Sequence, residues 1–368
     1  MKGKFMPKFK GLEKKFQPDW PGLVDNLLRR GTPNRVYFME LFQDPEIKNA
    51  IAQRFDLTRG LNPSDPDFER KKYIAVQRFC GYDYVQVPLM DLDFQFHDAA
   101  TKDTAALNRG DRAYRDEHTG PITNWEQFEK FPWPDPTRPA VTSELQWYQK
   151  NLPDDMCICG FGGYGHQMEF LCWLMGYETL CFALVDQRDL VEAIARKLEQ
   201  FFAVCQERLL EFDRVKLVWS SDDMGFKTGL MISPDDMRKL VLPCHRQLAA
   251  AAHAAGRPYL LHACGCLTDI MEDLIEDVKI DAKHSFEDTI QDVCEAKRRY
   301  GKRLSFIGGI DVDFLCRSDE AAIRARVRKT LDACQSGGGY CFGTGNSVAN
   351  YIPLDNYLTM LDEGRLYS

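Results

Sequence analysis

Short apolar runs alternate with helical patterns from residue 35 onward, and this alternation restricts the fold more than any other feature of the chain. About eight runs are flanked by Gly or Pro and have the length of strands. They are residues 35–40, 84–87, 156–161, 216–220, 258–264, 280–285, 304–311 and 338–343. Strict alternation predicts a parallel sheet with helices outside it. Eight units over 368 residues favour an α/β fold of the (β/α)8 TIM barrel type.

A doubly wound open sheet is the alternative fold for an alternating chain. Such sheets typically carry a Gly-rich phosphate-binding turn after their first strand. No Gly-rich turn follows the first predicted strand here, whereas Gly343-Thr344-Gly345 follows the last one. The barrel is therefore the preferred prediction.

The chain divides into a short extension and one large domain. Residues 1–30 are basic and end in a predicted helix, so we assign them to an N-terminal helical extension and residues 31–368 to the barrel. Residues 89–140 lack a sustained period and include Trp133-Pro134-Asp135-Pro136, which cannot lie inside a helix. A loop region this long inside a domain is typically a lid or an inserted hairpin.

Composition excludes several functional classes. The net charge of -8 argues against a nucleic-acid binder. No apolar run reaches the about 18 residues that a membrane span needs. The thirteen Cys are odd in number and include no Cys-x-x-Cys pair, which argues against a disulfide scaffold and indicates a reducing compartment. We therefore expect a cytoplasmic protein that acts on a small molecule.

Polar side chains occur at the ends of most predicted strands. In a (β/α)8 barrel the active site is built where the strands run into the following loops. We therefore expect the functional residues at one end of the barrel. The candidates at the strand ends are Glu40, Asp222, Asp223, His262, Cys264, His284, Asp311 and Cys341.

His262 and Cys264 are the strongest candidates for metal ligands. Residues two apart in a strand point to the same face, so the imidazole and the thiol should project together. Imidazole and thiolate are zinc ligands. The alternative is a core histidine beside a buried cysteine. Cys341 is the third soft ligand that we select.

Asp223 and Glu40 are the candidate catalytic residues, which would orient the substrate or the ligands. Adjacent carboxylates on an extended segment face opposite ways, and we expect Asp223, rather than Asp222, to face the mouth of the barrel. The alternative for this pair is a cap on the following turn. Glu40 ends the first predicted strand, and its alternative role is a local cap or ion pair.

Five motifs give the chain a resemblance to a known family. They are residues 229–236 (GLMISPDD), 253–256 (HAAG), 262–265 (HACG), 307–311 (IGGID) and 353–356 (PLDN). With these motifs, most of residues 30–365 resembles the uroporphyrinogen decarboxylase superfamily. The His-x-Cys-Gly motif is similar to the cobamide-dependent branch, the methylcobamide:coenzyme M methyltransferases. The resemblance implies a (β/α)8 barrel and a zinc ion that deprotonates a thiol, with the methyl group coming from a corrinoid on a partner protein.

The resemblance carries over to His262 and Cys264 as the paired ligands. The last ligand of the family is a Cys in the loop after the final strand, where this chain has Asn346. Cys341 lies earlier, inside the predicted strand. Either Cys341 substitutes from within the barrel, or Glu40, Asp223 or His284 is the third ligand, or no metal binds.

The expected function is therefore a zinc-dependent methyltransferase that works with a corrinoid protein and a thiol or similar acceptor. A cofactor-free decarboxylase is the first alternative, but the decarboxylases bind an acidic tetrapyrrole through Arg, and the predicted mouth here is acidic. A non-catalytic corrinoid- or partner-binding subunit is the second alternative. Assembly as a homodimer is compatible with these expectations.

Overall fold

Seven strands pair in one parallel, curled sheet in the computed structural model, which describes residues 9–367. In spatial order they are β1 (Tyr84–Val87), β4 (Cys157–Phe161), β5 (Val215–Ser221), β8 (Tyr259–His262), β9 (Ala282–His284), β10 (Ser305–Ile307) and β11 (Tyr340–Cys341). Two antiparallel pairs lie outside it, namely β2 (Asp98–Lys102) with β3 (Asp111–Arg115) and β6 (Gly225–Phe226) with β7 (Gly229–Leu230). Spatial order equals chain order in the parallel sheet, as the alternating sequence predicts.

The first predicted strand joins this sheet only through isolated bridges. Phe38 pairs with Phe342 in parallel, and the N–H of Met39 donates to the carbonyl of Phe342 at 2.9 Å. On its other side the segment meets β1 through side chains, because the Tyr84 hydroxyl lies 3.1 Å from the Glu40 carbonyl. The eighth segment therefore occupies a barrel position, but the main-chain ladder comprises seven strands.

Helices fill the connections between the strands. They are α1 (Trp20–Leu27), α2 (Pro45–Arg54), α3 (Phe68–Cys80), α4 (Trp125–Lys130), α5 (Ser143–Asn151), α6 (Gln167–Met175), α7 (Tyr177–Asp186), α8 (Arg188–Leu210), α9 (Pro234–Asp236), α10 (Leu242–Ala254), α11 (Val293–Tyr300), α12 (Val312–Arg317), α13 (Glu320–Cys334) and α14 (Leu354–Tyr367). The longest, α8, buries apolar residues at helical spacing, including Leu190, Ile194, Leu198 and Phe202.

The helix predicted from Pro234 to Ala255 is interrupted by a π-helical turn at Met237–Val241. Its start is as expected, since the Ser233 hydroxyl accepts the N–H of Asp236 at 3.1 Å. Pro243 has no N–H and so cannot donate to the carbonyl four residues earlier. The N–H of the preceding Leu242 donates to the carbonyl of Met237, five residues back, which is the hydrogen-bond pattern of a π-helix.

The inserted region carries the hairpin β2–β3, which reaches along one edge of the barrel mouth. At its base, the Arg115 guanidinium lies 6.0 Å from the ring of Trp173 in α6. At its tip, the Asn350 amide donates to the carbonyl of Leu107 at 2.9 Å, and Arg109 pairs with Asp44 at 2.7 Å. The hairpin is therefore anchored at both ends.

Part of the predicted N-terminal extension packs against the barrel. In α1, the Asn26 amide donates to the carbonyl of Tyr340 at 2.7 Å and accepts the N–H of Gly339 at 2.9 Å. The helix ends at Leu27, three residues earlier than expected. Residues 1–8 of the extension lie outside the described residues.

Within residues 9–367, no single helix is long and apolar enough to cross a membrane. The pair α6 and α7 passes the test of length and composition only when taken together, and it is bent by 93°. Most of α6 is buried in the core of the protein.

Candidate metal centre

Three potential ligands meet where β5 and β8 end. His262 is the last residue of β8 and pairs with Ser221, the last residue of β5. Asp223 and Cys264 each follow their strand by two residues. One ligand atom from each of Asp223, His262 and Cys264 lies within 4.8 Å of the others. The structure therefore brings together three of the residues that the sequence singled out.

The distances inside this group are short. Nε2 of His262 lies 3.3 Å from Sγ of Cys264 and 3.4 Å from Oδ1 of Asp223. The same carboxylate oxygen accepts the N–H of Cys264 at 3.0 Å. His262 is buried, whereas the Asp223 side chain is 43% exposed, so the group is accessible from one side.

A chain of hydrogen bonds fixes which nitrogen of His262 faces the group. Nε2 of His284 lies 3.1 Å from the carbonyl of Thr344 and must donate, because a carbonyl only accepts. Burial, followed by the charge of His262, lowers the pKa of His284, so its ring is neutral and Nδ1 accepts. The Nδ1 of His262, 2.7 Å away, is then the donor. The lone pair of a neutral His262 therefore lies on Nε2 and points toward Cys264 and Asp223.

The sulfur of Cys264 has two further polar contacts. The Ser285 hydroxyl lies 3.4 Å from Sγ and the Asn346 amide 3.5 Å. Burial raises the pKa of the thiol, and the charge of Asp223 adds to that shift. For Asp223, burial acts to raise the pKa, but when His262 is protonated its hydrogen bond and charge, together with the contacts from Cys264, prevail and lower it to about 2. A cation between these groups would favour the thiolate.

The neighbouring Asp222 points the other way. Its carboxylate accepts the N–H groups of Met168 at 2.8 Å and Glu169 at 3.0 Å, at the start of α6. It also lies 2.8 Å from Nε2 of the fully buried His245. Adjacent carboxylates thus face opposite sides, and Asp223 is the one beside His262 and Cys264.

Cys341 lies away from the other predicted ligands. Its buried sulfur lies 3.4 Å from the Asn26 amide of α1, and Cys341 is not among the residues whose ligand atoms come together. The structure does not bring its sulfur to His262 and Cys264, and Asp223, one of the alternatives for the third ligand, lies beside them. Cys341 belongs to β11 itself, three residues before Thr344, and does not extend into the loop beyond the strand.

Glu40 lies near the group without entering it. Its buried carboxyl group contacts the Thr344 hydroxyl and accepts the Thr344 N–H at 3.1 Å. Burial raises the pKa of Glu40 to about 8 despite these contacts. The Thr344 hydroxyl has one proton and lies 2.5 Å from the carbonyl of Asn346, which only accepts. The proton between Glu40 and Thr344 is therefore on Glu40, whose neutral carboxyl group supports Thr344.

Sequence reasoning missed Ser285 and Thr344, which support the group. Ser285 has a φ of 90°, a left-handed conformation that is unusual outside glycine. Such strained residues concentrate at functional sites. The only sequence signal was position, because each residue follows or ends a predicted strand.

A cavity of about 840 Å³ adjoins the group. Asn346, which contacts the Cys264 sulfur, forms part of its wall. Phe286, Phe314 and Tyr351 supply aromatic surface. Its charged groups are four carboxylates and one guanidinium: Glu287, Asp288, Asp311, Asp313 and Arg317. The cavity is thus large enough for a small molecule and predominantly acidic.

Comparison with known proteins places this chain in a family. The sequence profile described as uroporphyrinogen decarboxylase (URO-D) matches residues 117–367. No curated protein matches the chain in sequence. A solved methyltransferase from Methanosarcina mazei is similar over 96% of this chain and 100% of its own, with a TM-score of 0.67 and 16% identity. A rutinosidase from Aspergillus niger is similar over 92% of this chain and 98% of its own, with a TM-score of 0.42 and 11% identity.

At these identities the likeness to solved structures concerns the fold, and the M. mazei enzyme shares it over nearly the whole chain. The profile match is of a different kind, because it spans more than half of the sequence and includes His262 and Cys264. The chain belongs to the uroporphyrinogen decarboxylase family.

Proposed function

We propose that this chain is a zinc-dependent methyltransferase that moves a methyl group between a corrinoid, carried by a partner protein, and a thiol. The observation that carries the proposal is the convergence of Asp223, His262 and Cys264 within 4.8 Å at the carboxyl ends of β5 and β8. The similarity in fold to a methyltransferase and the His-x-Cys-Gly motif support the same assignment.

The geometry of the group fits zinc. Bonds of about 2.0–2.3 Å at tetrahedral angles place neighbouring ligand atoms about 3.3–3.7 Å apart. His262 Nε2 lies at 3.3 and 3.4 Å from its two neighbours. Nitrogen, sulfur and oxygen donors from three residues leave a fourth position for a substrate, as in catalytic zinc sites.

Zinc at this position would lower the pKa of an acceptor thiol and so keep it as a nucleophilic thiolate. The residues of the chain prepare the site. His284 and Thr344 hold the ring of His262 with Nε2 free, which fixes the tautomer that a metal requires. Ser285 and Asn346 contact the sulfur of Cys264 and restrain its position.

The acidic cavity argues against the decarboxylase alternative. Turnover of a polycarboxylate tetrapyrrole requires cations to bind the substrate. The cavity next to Asn346 has one guanidinium, Arg317, and this group pairs with Asp313 at 2.6 Å. A neutral or cationic small molecule suits these walls better than a polyanion.

Metal analysis of the purified protein tests the proposal. We expect about one zinc per chain under reducing conditions, and loss of the metal in His262→Ala and Cys264→Ala. Cys341→Ala is the matched control and should keep its metal. Methyl transfer from methylcobalamin to 2-mercaptoethanol should follow the metal content.

Sub-stoichiometric metal in the wild type would remove the central claim. Turnover of a carboxylated tetrapyrrole by metal-stripped protein would select the decarboxylase instead. Capture of a corrinoid protein without any methyl transfer would select the non-catalytic subunit.

A further inference from the structure

Lys283, in β9, is a buried cation beside the candidate metal centre. Its side chain is 3% exposed, and within residues 9–367 it forms no ion pair. The ammonium donates to the carbonyls of Ser285 at 2.8 Å and His284 at 3.3 Å, and it lies 4.6 Å from the centre of the Phe286 ring. Burying a charge without an opposite charge is costly, so these neutral contacts alone do not account for it.

The negative charge that Lys283 senses comes from the metal ligands. Burial lowers the pKa of Lys283 to about 8, and the charges of Cys264 and Asp223 act against that shift. Lys283 is therefore within electrostatic reach of two of the three ligands.

Lys283 also holds a residue that touches the sulfur. Its ammonium binds the carbonyl of Ser285, which has the unusual φ of 90°. The hydroxyl of the same serine lies 3.4 Å from Sγ of Cys264. The lysine thus reaches the centre both through its charge and through the position of Ser285.

A count of charges shows what this cation can balance. Asp223 and the thiolate of Cys264 carry two negative charges, and neutral His262 carries none. A zinc ion balances these two charges, so the centre is neutral before an acceptor binds. The positive charge of Lys283 remains, and it would be matched by one additional anion at the metal.

We propose that Lys283 is the counter-charge for an acceptor that binds the metal as an anion, which selects thiolates over neutral thioethers, amines and alcohols. The inference rests on the proposed function and narrows its substrate class. Lys283 is a positioning residue in this scheme, since it acts on the acceptor through the field at the metal and through Ser285.

Cobalt-substituted protein tests this proposal by spectroscopy, independently of turnover. 2-Mercaptoethanol is titrated into the wild type and Lys283→Met while sulfur-to-cobalt charge-transfer absorption is followed. We expect Lys283→Met to bind the thiol about tenfold more weakly, because at an effective dielectric of about 20 a unit charge as far as about 10 Å away is worth at least that factor. 2-(Methylthio)ethanol, a neutral thioether of similar shape, should bind both proteins equally.

Lys297→Met is the matched control for the loss of a lysine bound to carbonyl groups. Its ammonium lies 3.2 Å from the carbonyl of Gly339 and contacts that of Gly338, and the charges that it senses are those of Arg29, Cys334 and Cys341. This variant should bind the thiol as the wild type does. Lys283→Arg keeps the charge and should stay within about threefold of the wild type.

The outcomes separate the two proposals. Wild-type protein that binds neither zinc nor cobalt contradicts the proposed function and this inference with it. Metal-loaded Lys283→Met with wild-type thiol affinity contradicts the inference alone. A Lys283→Arg variant that loses as much thiol affinity as Lys283→Met also contradicts the inference. The affinity would then depend on the contacts of the lysine and not on its charge. If Lys283→Met does not fold, Lys283→Gln takes its place in the titration, because its amide can donate to the same carbonyl groups without a charge, and wild-type thiol affinity in this variant contradicts the inference.

Discussion

Two Asp–His pairs lie back to back at the end of β5, and they differ in what their hydrogen bonds leave free. Asp222 and His245 are fully buried, and their polar atoms are directed at Met168, Glu169 and Tyr259. Asp223 and His262 leave a nitrogen lone pair and a half-exposed carboxylate beside a thiol. Both pairs consist of an Asp and a His, so residue type does not distinguish them. The polar atoms that lack a hydrogen-bond partner distinguish a structural pair from a reactive one.

The largest effect should come from breaking the structural pair. Asp222→Ala leaves His245 and two backbone N–H groups at the start of α6 without an acceptor. We expect the free energy of unfolding of the metal-free protein to fall by about 3–5 kcal/mol, as for a buried pair that loses one partner. Chemical denaturation monitored by circular dichroism measures this change.

Asp223→Ala is the comparison for that experiment and should cost about 1 kcal/mol, because water can replace a half-exposed carboxylate. Equal losses in the two variants would contradict the division into a structural and a reactive pair. Asp222→Asn keeps one acceptor oxygen and should fall between them.

The second effect concerns zinc affinity, for which the larger loss is expected at Asp223 and the smaller loss at Asp222. Asp223→Ala removes a proposed ligand whose oxygen lies 3.4 Å from His262 Nε2. We expect its zinc affinity to fall by about 100-fold or more. Competition with a coloured chelator gives the dissociation constants. Asp222→Asn should bind zinc nearly as the wild type does, and a similar loss there would show that the two carboxylates are not independent.

A smaller change in affinity should follow from releasing the ring of His262. His284→Phe keeps an aromatic ring against Trp219 but removes the acceptor at 2.7 Å from His262 Nδ1. We expect zinc affinity to fall by about 10-fold, within the range typical of residues that orient a ligand. The same chelator competition measures it, and an unchanged affinity would mean that the tautomer is fixed without His284.

The alternation of strands and helices predicted the parallel sheet, because each strand has the apolar character that burial between barrel and helices requires. The ends of the strands predicted His262, Cys264 and Asp223. The choice of Cys341 gives chemical softness more weight than position, because the residue already lies inside the last predicted strand, and in the structure its sulfur contacts Asn26 rather than His262 and Cys264. His284, Ser285 and Thr344 needed coordinates, since their role depends on tautomer, a positive φ and a hydrogen bond between distant segments.

The last effect, which is small over any single pH unit, concerns Glu40, a third carboxyl group, which is buried and neutral. Its folded pKa of about 8 lies above the unfolded value of about 4.3, so between these values the folded state binds more protons than the unfolded state. The free energy of unfolding that this group contributes is fully present below about pH 4.3 and is lost as the pH rises toward 8, at no more than about 1.4 kcal/mol per pH unit.

Glu40→Gln keeps a neutral group beside Thr344 and should flatten this slope. Chemical denaturation of metal-free protein at about pH 5, 6, 7 and 8 measures the slope of the free energy of unfolding against pH. A wild type whose stability rises with pH over this range, with the rise absent from Glu40→Gln, would show that Glu40 is ionised in the folded protein.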